Sequence, residues 1–259
     1  MTMLNLISSN IRFDNPADGK FSWEFRKNFL VERLLDFQPD IIGTQEGREP
    51  QLRDLESMLK DFEIIAHHRQ WITERMYPCL FIRKGLFRLV ASGDIWLSET
   101  PQIAGSSSFQ SAFPRLCTWS ILSHLERPNN RFLVINTHLD HVLDFTRTRQ
   151  IQVLISQLQK ELEQFPTIIM GDFNESPDGE TRKILTNSSI QLQDPWQKFK
   201  DSEHASYHQF NGNHHHQQRI DWLLHTPHFE AKSIELDTSH RDGLYPSDHF
   251  PLKVQLVLT

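Results

Sequence analysis

The sequence predicts an α/β fold in which β-sheets pack on one another and helices lie outside them. Three observations carry that expectation. Short apolar runs recur from one end of the chain to the other, several of them too continuous for strands with a solvent face. Amphipathic helical periods fall between some of these runs. Elsewhere strand-like runs follow one another directly, which disfavours a pure parallel sheet or barrel.

Strand-like runs occupy residues 3–11, 40–45, 62–66, 79–83, 116–122, 132–138, 167–171, 220–224 and 252–258. The last alternates Leu252, Val254, Leu256 and Leu258 with Lys253 and Gln255, as a half-exposed strand does. The clearest helix runs over 145–162, where Ile151, Leu154, Ile155, Leu158 and Leu162 fall on one face. A second is expected over 24–37, with Leu30, Leu34 and Phe37 on one side, and a third over 49–59, with Leu52, Leu55 and Leu59. Irregular stretches at 14–21, 101–114 and 200–218 read as loops around a site.

No repeat, linker or composition break divides the chain, so residues 1–259 are expected to form a single domain, with a hydrophobic share of 38% sufficient for a sizeable core. A formal charge of −6 provides no blanket attraction to nucleic acid, because non-specific affinity comes from Lys and Arg on phosphates. Cys79 and Cys117 lack any metal or disulfide spacing and read as buried free thiols. With no secretory leader pattern at the N-terminus and no run near the roughly 20 apolar residues that span a bilayer, a soluble, cytoplasmic protein is expected.

The chemistry-bearing residues gather where apolar runs end. Asp172 and Asn174 follow Gly171 two positions apart, so on an extended segment both address the same side; a plain turn gives the same string. Asp248 and His249 stand between Pro246 and Pro251, a stiff setting for a metal-capable carboxylate beside an imidazole. Asp221 lies inside an apolar run, which requires a partner: an imidazole, or Arg219 in a structural ion pair. Asn10 and Glu46 close two earlier runs, where a turn residue and a helix-start acid are the plainer readings. His138 and Asp140 close another and alternate to one side, while His141 turns away or serves a loop.

Taken in order, Asn10, Gln45–Glu46, Asn136–Thr137–His138–Leu139–Asp140–His141, Gly171–Asp172–Phe173–Asn174, Arg219–Ile220–Asp221–Trp222 and Ser247–Asp248–His249 resemble the endonuclease/exonuclease/phosphatase superfamily, the group related to deoxyribonuclease I. Asp94–Ile95–Trp96–Leu97–Ser98–Glu99–Thr100–Pro101, Phe113–Pro114–Arg115 and Arg147 with Gln150 make it most similar to bacterial members near the carbon-catabolite-repressor-type deadenylases. The sequence departs from the pattern around Glu74 and in a His-rich loop at His214, His215 and His216, which reads as solvated loop rather than metal site.

The resemblance implies a four-layer α/β sandwich of two mixed sheets packed face to face and flanked by helices. It implies a phosphoesterase in which Glu46, assisted by Asn10 and Asp248, binds Mg²⁺ or Mn²⁺. Asp172 then orients or deprotonates water, Asn174 holds water or phosphoryl oxygen, and His249, oriented by Asp221, donates to the phosphate. His138 contacts phosphate or assists the leaving group. Arg115 is a candidate phosphate ligand, with a surface ion pair as its plainer role. The expected substrate is a phosphate ester in a short or single-stranded nucleic acid, a nucleotide-like diester or a small metabolite, with Trp23, Trp71, Phe109, Phe113 and Tyr245 as candidates to stack a base. No protein partner is implied. Two other readings stand beside this one: a zinc hydrolase built on His138, Asp140 and His141, which lacks a first His because position 136 is Asn, and a degenerate module that binds phosphate without cleaving it.

Overall fold

A computed structural model describes residues 2–187, 190–199, 203–213 and 219–259. Strands β1 (Thr2–Asn10), β2 (Ile41–Gly47), β3 (Phe62–Ile64) and β4 (Tyr77–Arg83) come from the first third of the chain. They join β10 (Phe229–Leu236) and β11 (Leu252–Leu258) in a six-stranded sheet of order β10-β11-β1-β2-β4-β3. A second, five-stranded sheet takes β5 (Phe87–Trp96), β6 (Leu116–His124), β7 (Arg127–His138), β8 (Thr167–Asp172) and β9 (Asp221–His225) in sequence order. Both sheets are mixed: β1 runs parallel to β2 and β7 parallel to β8, whereas the other pairs are antiparallel.

The sheets face one another across a core that includes Leu4, Leu6, Leu80, Val134, Met170, Leu223 and Val254. Because successive strand residues point to opposite faces, the alternate set lies outside. Ile7 and Ile42 pack with Leu30 and Leu34 of helix α1 (Trp23–Asp36) and with Leu52 and Leu55 of α2 (Glu49–Met58). Ile135 and Ile169 pack with Ile151 and Leu154 of α3 (Asp144–Gln157). The result is the expected four-layer sandwich, and the continuous apolar runs belong to strands covered on both faces.

Four departures have physical causes. The helix expected over 145–162 divides at Leu158, which leaves helical geometry (φ −109°, ψ 17°), into α3 and α4 (Gln159–Gln164). Leu158 and Leu162 both stay buried, so the break keeps one apolar stripe on the sheet. Strand β11 is not half-exposed, because Lys253 is buried with its ammonium 2.8 Å from Asp237. Strands β5 and β10 escape the sequence pattern: β5 carries Arg88, Ser92, Gly93 and Asp94, and a bulge between Ala231 and Ser233 breaks the alternation of β10. Helix α5 (Glu180–Thr186) is too short to show a period.

Behind the future site the two sheets are laced together by buried amides. Gln45 Nε2 donates to Asn136 Oδ1 at 2.7 Å, and Asn136 Nδ2 donates to the carbonyls of Thr44 at 2.9 Å and Cys79 at 2.8 Å. Cys79 and Cys117 are free and buried. No helix among the described residues is long and apolar enough to cross a membrane.

Candidate active site

The strand pairing delivers the chemistry to one end of the sandwich. β1 and β2 run parallel, with Asn10 beside Gln45 and Glu46 next along. On the second sheet His138 pairs with Asp172, and Asp172 with Asp221, so three functional positions stand side by side. The segment before β11 brings Asp248 and His249 over the gap, held in part by Ser247 Oγ, which donates to the Asn10 carbonyl at 2.6 Å. A fully buried Arg26 donates to the carbonyls of Phe21, Ile11, Arg12 and Pro246, tying the two loops of the first sheet together. Glu46, Asn174 and Arg12 all have positive φ (65°, 50° and 54°), a cost non-glycine residues bear where the surroundings over-determine the backbone.

Asn10 Nδ2 donates to Glu46 Oε1 at 3.1 Å and to Asp172 Oδ2 at 2.9 Å, while its Oδ1 accepts the Arg12 N–H. Glu46 Oε2 accepts from the Phe13 N–H at 3.1 Å. Asp172 Oδ1 accepts the Asn174 N–H at 2.9 Å. His249 Nδ1 lies 2.7 Å from Asp221 Oδ2 and its Nε2 4.0 Å from Asp172 Oδ2. His138 Nε2 lies 3.4 Å from the same oxygen, and Arg115 reaches His138 Nδ1 at 3.0 Å.

Burial opposes charge on His249, His138, Asp172 and Asp248, and neighbouring charges reinforce or override it. Burial alone would lower His249, but buried Asp221 against its Nδ1 overrides that and pushes it up to about 10. His138 goes the other way: burial, then the positive charges of Arg115 and His249, hold it well below its usual value, so it is neutral. Asp172 is pushed up to about 7 by burial and by the charge of Asp221. Asp248 is also raised, by burial first and then by Glu46, against the opposing pull of His249 and Arg12.

The cleft above these groups has a volume of about 360 Å³ and is lined by Glu46, Arg115, His138, Asp172, Asn174, Asp248 and His249. Asn10 and Asp221, both buried, stand behind them. The nine residues given a catalytic, metal or phosphate role in the sequence therefore meet in one place. Asn10, expected to assist a metal, turns its amide nitrogen to Glu46 and Asp172 and its Oδ1 to the Arg12 N–H. The tight Asp221–His249 pair answers which partner the buried Asp takes, while Arg219 pairs with Asp194 and Glu203.

His141 and Asp140 exchange their expected parts. Asp140 is wholly buried, and its carboxylate accepts the N–H groups of Ala112, Val142 and Leu143, stitching two loops together. His141 lines the cleft, stacked on Phe113. The same geometry removes the zinc reading, since Asp140 is spent on backbone and the guanidinium of Arg115 lies between the two imidazoles. Of the expected stacking residues only Phe113 lines the cleft. Trp23 donates its indole N–H to Asp54, Trp71 packs on Tyr77, Phe109 lies under Arg149 and Tyr245 against His208. Arg12, Phe13 and Tyr207 line the cleft without having been singled out; Arg12 and Phe13 directly follow the Asn10 strand end, which is the signal that could have found them. Glu74 is exposed, and His214, His215 and His216 lie outside the described residues.

The donor set fits a hard divalent cation. Glu46, Asp172 and Asp248 crowd one cleft with oxygen donors and no thiolate, and Asp172 and Asp248 are raised by burial first and then by neighbouring carboxylates. Donor atoms of Glu46, His138 and Asp172 lie within 4.8 Å of one another. Among these, both ring nitrogens of His138 already face Arg115 and Asp172, which leaves the carboxylates as the natural ligands.

Two mixed sheets with flanking helices, presenting acids and a carboxylate-held imidazole at one end, place the chain in the deoxyribonuclease I-like fold class. The profile of the Endonuclease/Exonuclease/phosphatase family matches residues 7–249, and the chain belongs to that family. Its relatives include bacterial members and the deadenylase branch. The structure of a mannosyl-6-phosphatase from Bacteroides thetaiotaomicron superposes with a TM-score of 0.86 at 29% identity, covering 98% of this chain and 99% of that one. Nocturnin from Homo sapiens is 25% identical over 191 residues, 66% of this chain and 40% of its own length. The CCR4-Not complex 3′-5′-exoribonuclease subunit Ccr4 of Mycosarcoma maydis is 20% identical over 239 residues, 72% of this chain and 36% of its own. The chain thus spans about two fifths of the length of the curated relatives it matches.

Proposed function

We propose that the protein is a Mg²⁺- or Mn²⁺-dependent phosphoesterase acting on a phosphodiester in a short or single-stranded nucleic acid, a nucleotide-like diester, or a small phosphorylated metabolite. The observation that carries this reading is the convergence of Glu46, Asp172, Asp248 and an Asp221-held, cationic His249 on one small cleft. Its volume of about 360 Å³ suits a small ligand or one unit of a strand. A net charge of −6 argues against a long grip on duplex DNA. The names of relatives, a sugar phosphatase and an exoribonuclease, support the ester class on either side of this choice. Free thiols at Cys79 and Cys117 are compatible with a cytoplasmic setting.

Glu46 and Asp248 would hold the ion. The chemistry supplied by a bound ion is neutralisation of phosphate charge and stabilisation of the leaving oxygen. Asp172, fixed by the Asn174 N–H and by Asn10, orients or deprotonates the attacking water. Asn174 holds that water or a phosphoryl oxygen in line. His249 donates from Nε2 to the scissile phosphate, its other nitrogen fixed by Asp221. His138 stands neutral beside Asp172, and Arg115 adds positive potential at the same wall.

A Mn²⁺-supported screen of bis-p-nitrophenyl phosphate, p-nitrophenyl phosphate, short RNA and DNA strands, duplex DNA and phospholipid head groups tests the reading. Turnover should vanish with EDTA, and Asp172→Asn and His249→Ala should each lower it by at least about a hundredfold. Full activity in metal-free buffer would overturn the metal assignment, and preference for duplex DNA or lipid would overturn the substrate assignment.

A further inference from the structure

Arg115 sits between two imidazoles. Its Nη1 lies 3.0 Å from His138 Nδ1 and its Nη2 3.3 Å from His141 Nδ1. A guanidinium carries donors only, so each Nδ1 is the accepting, unprotonated nitrogen, and each neutral ring carries its proton on Nε2. In His138 that nitrogen faces Asp172 at 3.4 Å. Among the described residues no protein acceptor meets Nε2 of His141, whose exposed ring forms part of the cleft wall.

The wall is built to hold that ring still. His141 stacks on Phe113 with ring centroids 5.8 Å apart and planes within 18°. Buried Asp140 stitches their two loops through the N–H groups of Ala112, Val142 and Leu143, and Gln150 clamps the join, accepting the Asp140 N–H and donating to Ser111 Oγ. An exposed imidazole fixed in plane by a stack and in tautomer by a buried arginine is a preorganised donor.

We propose that Arg115 is a positioning residue that holds His138 and His141 in the Nε2–H form, and that His141 presents this N–H to an oxygen of the phosphate ester in the cleft. The proposal rests on the phosphoesterase reading above. It changes the part of Arg115: both terminal nitrogens of its buried guanidinium are turned to imidazoles, so it acts on substrate through them.

Nitrogen-15 NMR of the imidazoles at pH 8 tests the first half without any turnover. Both rings should appear as Nε2–H, and in Arg115→Met, or in Arg115→Lys should the first variant fold poorly, His141 should relax to a mixture of tautomers. For the second half, p-nitrophenyl phosphate with Mn²⁺ should show KM raised about tenfold or more by His141→Ala, as for a lost hydrogen bond to a charged group, with kcat much less affected. His141→Gln, which keeps an N–H donor, should recover most of the loss. An Nδ1–H form of His141 in the wild-type protein, or a KM for His141→Ala within about twofold of wild type, would overturn the proposal. If the wild-type protein turned over no phosphate ester, the phosphoesterase reading would fail and the substrate contact with it, while the tautomers would still decide the part of Arg115.

Discussion

At the scale of single residues, the same physical situation, a charged group taken out of water, is resolved in different ways within one molecule. Asp221 is paired with His249 and Asp237 with Lys253, whereas Arg26 donates to four backbone carbonyls. Asp94 is the strongest structural case. Burial would raise its pKa, but Arg69, donating from Nε at 2.7 Å and Nη2 at 2.9 Å, holds it well below the carboxylate range, helped by His68 and Thr118. Asp94→Asn leaves a buried guanidinium without its counter-charge and should cost about 3 kcal/mol or more at pH 7, measured by urea unfolding. Since the folded pKa lies below the unfolded value of about 3.9, this contribution is fully present above that value and is lost as pH falls through the folded pKa. The gap between wild type and variant should therefore stay level from about pH 8 to pH 5 and close below about pH 4. A gap that is absent at pH 7, or unchanged in acid, would contradict the account.

Elements act by delivering side chains in register. Parallel pairing of β7 with β8 places Thr137 opposite Gly171 and His138 opposite Asp172. Gly171 has φ 146°, and a Cβ there would lie 2.0 Å from the Thr137 carbonyl oxygen, a contact with backbone that no rotamer can relieve. Gly171→Ala should thus force the strands apart, lowering stability by about 3 kcal/mol or more and shifting Asp172 away from His138. A variant with wild-type Tm and turnover would show that the strands separate freely. Helices and strands with a strong apolar period were legible in the sequence, because burying one face imposes that period. Strands β5 and β10 were not, since they carry polar residues or a bulge and owe their pairing to β6 and β11.

The whole molecule assembles the site from both sheets. Asn10 and Glu46 come from β1 and β2, His138 and Asp172 from β7 and β8, and Asp248 from the segment before β11. A cation bound between Glu46 and Asp248 would favour only the folded chain, in which these parts meet. At a free concentration about 100 times its Kd, Mn²⁺ should stabilise the protein by about 2.7 kcal/mol. That corresponds to a Tm rise of roughly 5–10 °C for a chain of this size. EDTA should reverse the rise and Glu46→Gln should shrink it; a Tm indifferent to millimolar Mn²⁺ would argue against the metal site.

Six short motifs taken in order were enough, through their resemblance to a known family, to give the family and the layered α/β fold and to name the nine residues that meet around the cleft. Those features are local: an acid, amide or imidazole beside an apolar run is visible along the chain, and six such motifs in order leave little freedom. What each residue touches is decided across distances the chain does not encode linearly. Asn10 turns its nitrogen to the acids because Arg12 N–H takes its oxygen, and Asp140 is drawn under the loops by three backbone N–H groups. His141 faces the cleft because Arg115 and Phe113, both more than twenty residues earlier, fix its ring. Lys253 reads as a solvent-side residue of an alternating strand until α1 and Asp237 are laid over it. Hydrogen-bond partners and burial are properties of the packed chain, so tertiary structure alone could assign the parts that these residues play.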